Sequence, residues 1–237
     1  MTEELLILSL SAFSIGFIHT ILGPDHFLPF IVMSKAGKWS QAKTITITLL
    51  SGLGHVLSSV LLGFLGIGLG AAITDLTEIE SFRGNLAGWF LLAFGFTYTV
   101  YGIKKTIQNK PHTHLHIHAD ESPHAHEHLH SAHHAHIHHK TESNKLTPWI
   151  LFTIFILGPC EPLIPILMYP AANESLFGLI LVTLIFAAAT IGTMLTVVIL
   201  GIRGLDLLPM KKIERYTHLL AGLLVLLSGI AIQFLGL

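Results

Sequence analysis

The sequence predicts an all-α integral membrane protein of six transmembrane helices, built as two inverted three-helix repeats with Gly-Pro breaks in helices 1 and 4. Three observations carry this. First, only 11% of the 237 residues are charged, 51% are hydrophobic and mean hydropathy is +0.68, whereas a soluble domain carries about 25% charged residues. Second, six stretches are long and apolar enough to cross a hydrocarbon core of about 30 Å. Third, short motifs recur in the same order in the two halves. The formal net charge of −1 argues against a nucleic-acid binder. The single cysteine, Cys160, excludes an internal disulfide and any two-cysteine zinc or redox motif.

The first span covers 5–32. Its start, Met1-Thr2-Glu3-Glu4, lacks the positive region of a cleaved signal, so it reads as a retained helix. Gly23-Pro24 and Pro29 interrupt it, because proline donates no N–H and disturbs the preceding turn. The second span, 44–73, carries His55 at its middle with Ser58 one turn on. The third, 86–103, has Gly88, Gly95 and Gly102, a seven-residue spacing that lets a neighbouring helix approach closely. The fourth, 148–169, is broken at Gly158-Pro159 and contains Cys160, Glu161, Pro162 and Pro165. The fifth covers 176–202. The sixth, 216–237, repeats the glycine spacing at Gly222, Gly229 and Gly236.

The two halves match at a nearly constant offset. Leu22-Gly23-Pro24-Asp25-His26 corresponds to Leu157-Gly158-Pro159-Cys160-Glu161, and Gly54 through Gly63 to Gly192 through Gly201. Three crossings per repeat is odd, so the second copy is upside down, an arrangement common in transporters with midplane sites at broken helices. The chain divides into a first repeat (1–103), a His-rich loop (104–147) and a second, inverted repeat (148–237). Twelve of the 13 Lys and Arg residues fall on one side; the other has only Arg83, beside Asp75, Glu78 and Glu80. By the positive-inside rule the long loop is cytoplasmic and both termini are outside.

Charged groups deep in a bilayer are costly and mark functional sites. Asp25 and Glu161 are the two carboxylates within the predicted spans, each beside a Gly-Pro break. His19 and His26 are two helical turns apart and share a face if the helix runs on. Taken alone, His55 reads as a helix–helix hydrogen bonder. Beside Asp25-His26 it reads as a ligand, since neutral imidazole with carboxylate makes a nitrogen–oxygen metal site. The expected metal site is therefore His19, Asp25, His26 and His55. Glu161 is the candidate for coupling or a second-repeat ligand. Cys160 reads as a packing residue that could also face the site.

The loop concentrates 13 of the 17 histidines: His112, His114, His116, His118, His124, His126, His128, His130, His133, His134, His136, His138 and His139. Such a tract builds no core, so it is expected to be disordered or structured only by metal. It binds transition metals such as nickel, cobalt, zinc or copper, more weakly below about pH 6.5 as the rings protonate. It reads as a buffer or sensor beside the main site.

Gly16-Phe17-Ile18-His19-Thr20-Ile21-Leu22-Gly23-Pro24-Asp25-His26 resembles the first-helix signature of the nickel/cobalt transporter superfamily, in its UreH-like six-span branch bordering the sulfite exporter group. Gly52-Leu53-Gly54-His55 resembles the second-helix signature. The loop resembles that of bacterial nickel/cobalt efflux proteins. One spacing departs: five residues separate His19 from Asp25 where the family has four, which alters their relative facing. The resemblance implies a secondary transporter, not an enzyme, in a prokaryotic inner membrane. Its partners would be the lipid bilayer and a divalent metal substrate, nickel or cobalt ahead of zinc or copper, with an oligomer compatible. No P-loop is present to supply nucleotide energy.

Three other classes compete. An intramembrane hydrolase would hold a catalytic zinc with one open position. A thiol electron carrier resembles Gly158-Pro159-Cys160-Glu161-Pro162 but needs a second reactive cysteine. An anion exporter needs a buried cation, and none falls within the predicted spans.

Overall fold

Helix α1 (Glu3–Leu22) stops where Gly23 and Pro24 interrupt the apolar run. In the computed structural model, which describes residues 3–70, 72–108, 112–116, 124–128, 143–172, 175–207 and 214–236, the Gly23 N–H still bonds to His19 O at 3.0 Å. A short 3₁₀ turn, Pro24–His26, then closes through His26 N to Gly23 O at 3.1 Å. Helix α2 (Leu28–Ala36) restarts with Pro29 in its first turn, where a missing N–H costs nothing. Nearly all of α2 is buried, Phe30 and Met33 to 1% exposure.

Helix α3 (Gln41–Leu69) opens on a Ser40 cap that accepts from Lys43 N at 3.2 Å, and ends at left-handed Gly70. Helix α4 (Ile73–Gln108) begins well before residue 86, the expected start of the third span. Asp75, Glu78, Glu80 and Arg83, assigned to a loop by hydropathy, are therefore helical. Two five-residue segments, β1 (His112–His116) and β2 (His124–His128), pair antiparallel with His112 opposite His128 and His114 opposite His126.

The fourth predicted span is two shorter helices, α5 (Ser143–Leu157) and α6 (Leu163–Ala172), separated at Gly158-Pro159. Helix α7 (Leu176–Asp206) is capped by Ser175, and α8 (Thr217–Leu235) ends at left-handed Gly236.

Among the described residues, five helices are long and apolar enough to cross a membrane, α1, α3, α4, α7 and α8 with the turn before it; at most 33% of each apolar window is buried within the protein. The exposed surface is itself apolar, with Leu10, Phe13, Ile18, Leu57, Leu61, Leu184 and Leu227 all facing outward. In water such a surface would drive aggregation; in a bilayer it is the lipid contact. The chain is a multi-pass, all-α membrane protein.

Helix α4 packs along α8, α1 along α7, and α3 against both α5 and α7. The α4–α8 seam is made of the expected glycines. A Cβ on Gly95 would lie 2.4 Å from Leu226 N, one on Gly102 2.5 Å from Leu219 Cα, and one on Gly222 2.5 Å from Thr99 N. Backbone thus meets backbone, which only glycine allows.

Candidate metal centre

The break after α1 turns His26 inward, and the middle of α3 brings His55 to meet it. His19, on the last turn of α1, completes a triad. Ring centroids are 4.8 Å apart for His19 and His26, 5.2 Å for His26 and His55, and 6.4 Å for His19 and His55. One ring nitrogen of each lies within 4.8 Å of those of the other two. His26 and His55 are buried to 3% and 1% exposure, and His19 is half-buried.

Hydrogen bonding fixes the tautomers. His26 Nδ1 lies 3.0 Å from Asp25 Oδ1 and 3.2 Å from Gly23 O, both acceptors, so Nδ1 carries the proton. His55 Nδ1 donates to Phe155 O at 3.3 Å. In its neutral form each of these two rings therefore turns an Nε2 lone pair away from its hydrogen-bonded side. The Nε2 atoms of His19, His26 and His55 are all buried and without a partner. Unpaired buried polar atoms are uncommon and need an explanation. A metal-ligating histidine characteristically donates its second nitrogen to a carboxylate or carbonyl, as His26 and His55 do here.

The triad assembles three of the four expected ligands. Asp25 stands behind His26 as its hydrogen-bond acceptor, with the cluster of ring nitrogens on the far side. The extra residue between His19 and Asp25, together with the 3₁₀ turn, lets His19 meet the His26 ring. Phe155 closes the site, with its ring centroid 5.5 Å from that of His26 and 4.9 Å from that of His55.

Two cavities of about 390 Å³ border the triad. One is lined by His19, Ser81, Asn85 and Glu161, the other by His19, Asp25, His26 and Pro162. Glu161 is exposed and shares the first cavity with His19. Cys160 is wholly buried among Ala12, Val56, Leu163 and Phe186. His218, near the start of α8, lies 2.8 Å from Tyr98 Oη and 2.6 Å from Lys105 Nζ, within a polar group of its own. Of the loop histidines, His118, His130, His133, His134, His136, His138 and His139 lie outside the described residues; His112, His114, His116, His124, His126 and His128 are described in backbone alone.

Sequence reasoning missed Glu80 and Arg83. Glu80 is a fully buried carboxylate, with 0% exposure, and Arg83 is a partly buried cation, both inside α4. Arg83 lies just before the predicted third span and is already bonded to Glu80, so it is not a free cation for an anion. Their i,i+3 spacing is the helical signal that was available.

Residues 28–231 match the family described as the cytochrome C biogenesis protein transmembrane region. No curated protein and no solved structure matches the chain. The match overturns the resemblance to the nickel/cobalt transporter superfamily and to its sulfite exporter border. Secondary transport of nickel or cobalt falls with it, and so does intramembrane zinc hydrolysis. The resemblance rested on two short stretches and the composition of the loop, whereas the match spans residues 28–231. It begins after His26, so the first break precedes the matched stretch.

Proposed function

The chain belongs to the cytochrome C biogenesis protein transmembrane-region family, and from that premise we propose that it binds a transition-metal ion inside the membrane through His19, His26 and His55. The observation that carries the reading is the set of three buried, unpartnered Nε2 atoms on converging rings. Thiol–disulfide chemistry within the chain is closed to it, because that needs two cysteines and Cys160 is alone and buried.

Neutral imidazoles suit nickel, cobalt, copper and zinc. Two ligands about 2.1 Å from one ion stand at most about 4.2 Å apart, so the ring nitrogens draw slightly together on binding. Asp25 holds His26 in the productive tautomer, and Phe155 O does the same for His55. We assign the site binding rather than turnover. A single copy supplies all three ligands; the His-rich loop adds weaker metal sites.

The same reading takes α5 and α6 together as a sixth, broken crossing and the bundle as two inverted repeats, 1–103 and 148–237, joined by the loop 104–147. The packing supports it: α1 lies on α7 as α5 lies on α3, and α4 pairs with α8, the exchange an inverted duplication produces. Both termini then face outward, and the loop lies on the cytoplasmic side of a prokaryotic inner membrane.

The test is equilibrium dialysis of the purified protein against cobalt, nickel, copper and zinc. The expected result is one tight equivalent that His26→Ala and His55→Ala each remove, both in the full chain and with 112–139 deleted. If triad variants bind as wild type does with all four metals, the proposal is wrong.

A further inference from the structure

The second helix break is closed by an ion pair that belongs to neither of the helices it separates. Where α5 ends, its last carbonyls have no partner within the helix; where α6 begins, the N–H groups are in the same position. Ile156 O accepts from Arg83 Nη2 at 2.8 Å and from Ser58 Oγ at 3.0 Å. On the other side of the break, Cys160 N donates to Glu80 Oε2 at 3.1 Å. Arg83 and Glu80 are bonded to each other on α4, and Ser59 Oγ adds a bond to Glu80 Oε2 at 3.1 Å. The cation therefore lies at the negative end of one half-helix and the anion at the positive end of the other, the arrangement each helix dipole favours. Helix α4 can come this near because Gly84 faces Pro159: a Cβ there would lie 2.6 Å from Pro159 Cγ.

We propose that Glu80 and Arg83 are a latch that holds the second helix break closed and, by taking the Ile156 carbonyl, leaves the adjoining Phe155 carbonyl to position His55. They are positioning residues and touch no ligand. Holding the break is independent of any metal; the consequence for His55 as a ligand rests on the metal reading above.

Cys160 is the sole thiol of the chain and sits inside the break, so it reports directly on the latch. The experiment is N-ethylmaleimide labelling of the intact full-length protein, followed by mass spectrometry, for wild type, Glu80→Gln, Arg83→Gln and Arg83→Lys. The latch predicts labelling at least tenfold faster in Glu80→Gln and Arg83→Gln, with Arg83→Lys nearer to wild type. A reporter elsewhere, Ala221→Cys in a Cys160→Ser background, stays slow when Glu80→Gln is added. The reversed pair, Glu80→Arg with Arg83→Glu, keeps an ion pair but opposes both dipoles and labels fast. Unchanged labelling in the Gln variants overturns the proposal, as do equal acceleration at position 221 and protection by the reversed pair. Cobalt binding is measured on the same samples. Fast Cys160 labelling in variants of a protein whose wild type binds no cobalt leaves the latch standing and removes the metal reading; cobalt bound at the triad with unchanged labelling does the reverse.

Discussion

Gly23 O is bonded by His26 twice, by its ring Nδ1 at 3.2 Å and by its backbone N–H at 3.1 Å, and a Cβ added to Gly23 would come within 2.5 Å of that same Nδ1. The ring is seated in the space that glycine leaves. Gly23 has an ordinary extended backbone, φ −86°, which alanine also adopts. Gly23→Ala should therefore displace the imidazole more than the backbone. We expect metal affinity to fall about tenfold or more, as for other losses behind a ligand, with melting temperature little changed. Calorimetric titration beside a thermal scan checks both halves.

Asp25→Asn keeps the shape and removes the charge of the acceptor that orients His26. Loss of such an outer partner typically costs 10–100-fold in metal affinity. The same titration should place Asp25→Asn in that range and His26→Ala beyond it. An Asp25→Asn variant with wild-type affinity would show that Gly23 O alone sets the ring.

Gly95→Ala presses a methyl group onto the backbone of α8 at Leu226. No side-chain rotation relieves that contact, so the expected loss of stability is about 1–3 kcal/mol, the range for overpacking. Gly192→Ala on α7 meets nothing within 4 Å and should be neutral. Thermal unfolding of the two variants in the same detergent compares them directly.

Cys160→Ala tests whether thiol chemistry has any part in the site. The side chain is packed among apolar neighbours, so the variant should bind metal within about threefold of wild type and lose only the modest stability expected of a small cavity. Abolished metal binding in a folded Cys160→Ala protein would make the thiol a ligand.

The histidine triad was legible because its parts carry chemistry that apolar helices rarely contain: His19, His26 and His55 stand out against leucine and isoleucine. The two Gly-Pro breaks and the glycine seam were legible for the same reason, since proline and glycine act on the backbone in any context. Glu80 and Arg83 were legible only as an i,i+3 pair on a helix, not as buried charges. Hydropathy averages them into a polar stretch and starts the span at residue 86, whereas the helix begins at Ile73 because packing against the second break shelters both charges. Asp25 was given a place among the ligands because spacing alone does not show the 3₁₀ turn that sets it behind His26. The family was misread because His19, Asp25 and His26 make a vivid motif, while the similarity that decides membership is spread thinly from residue 28 to 231.

His55 has one nitrogen for each half of the chain: Nδ1 bonds to the end of α5, and Nε2 turns toward the rings at the end of α1. An imidazole has only one proton to place when neutral. Moving it to Nε2 would break the bond to Phe155 O and at the same moment remove the lone pair offered to the triad. The two breaks, 135 residues apart in the repeat-matched glycines Gly23 and Gly158, are thus read by one proton. The tautomer that bonds to the second break is the same one that offers a lone pair at the first.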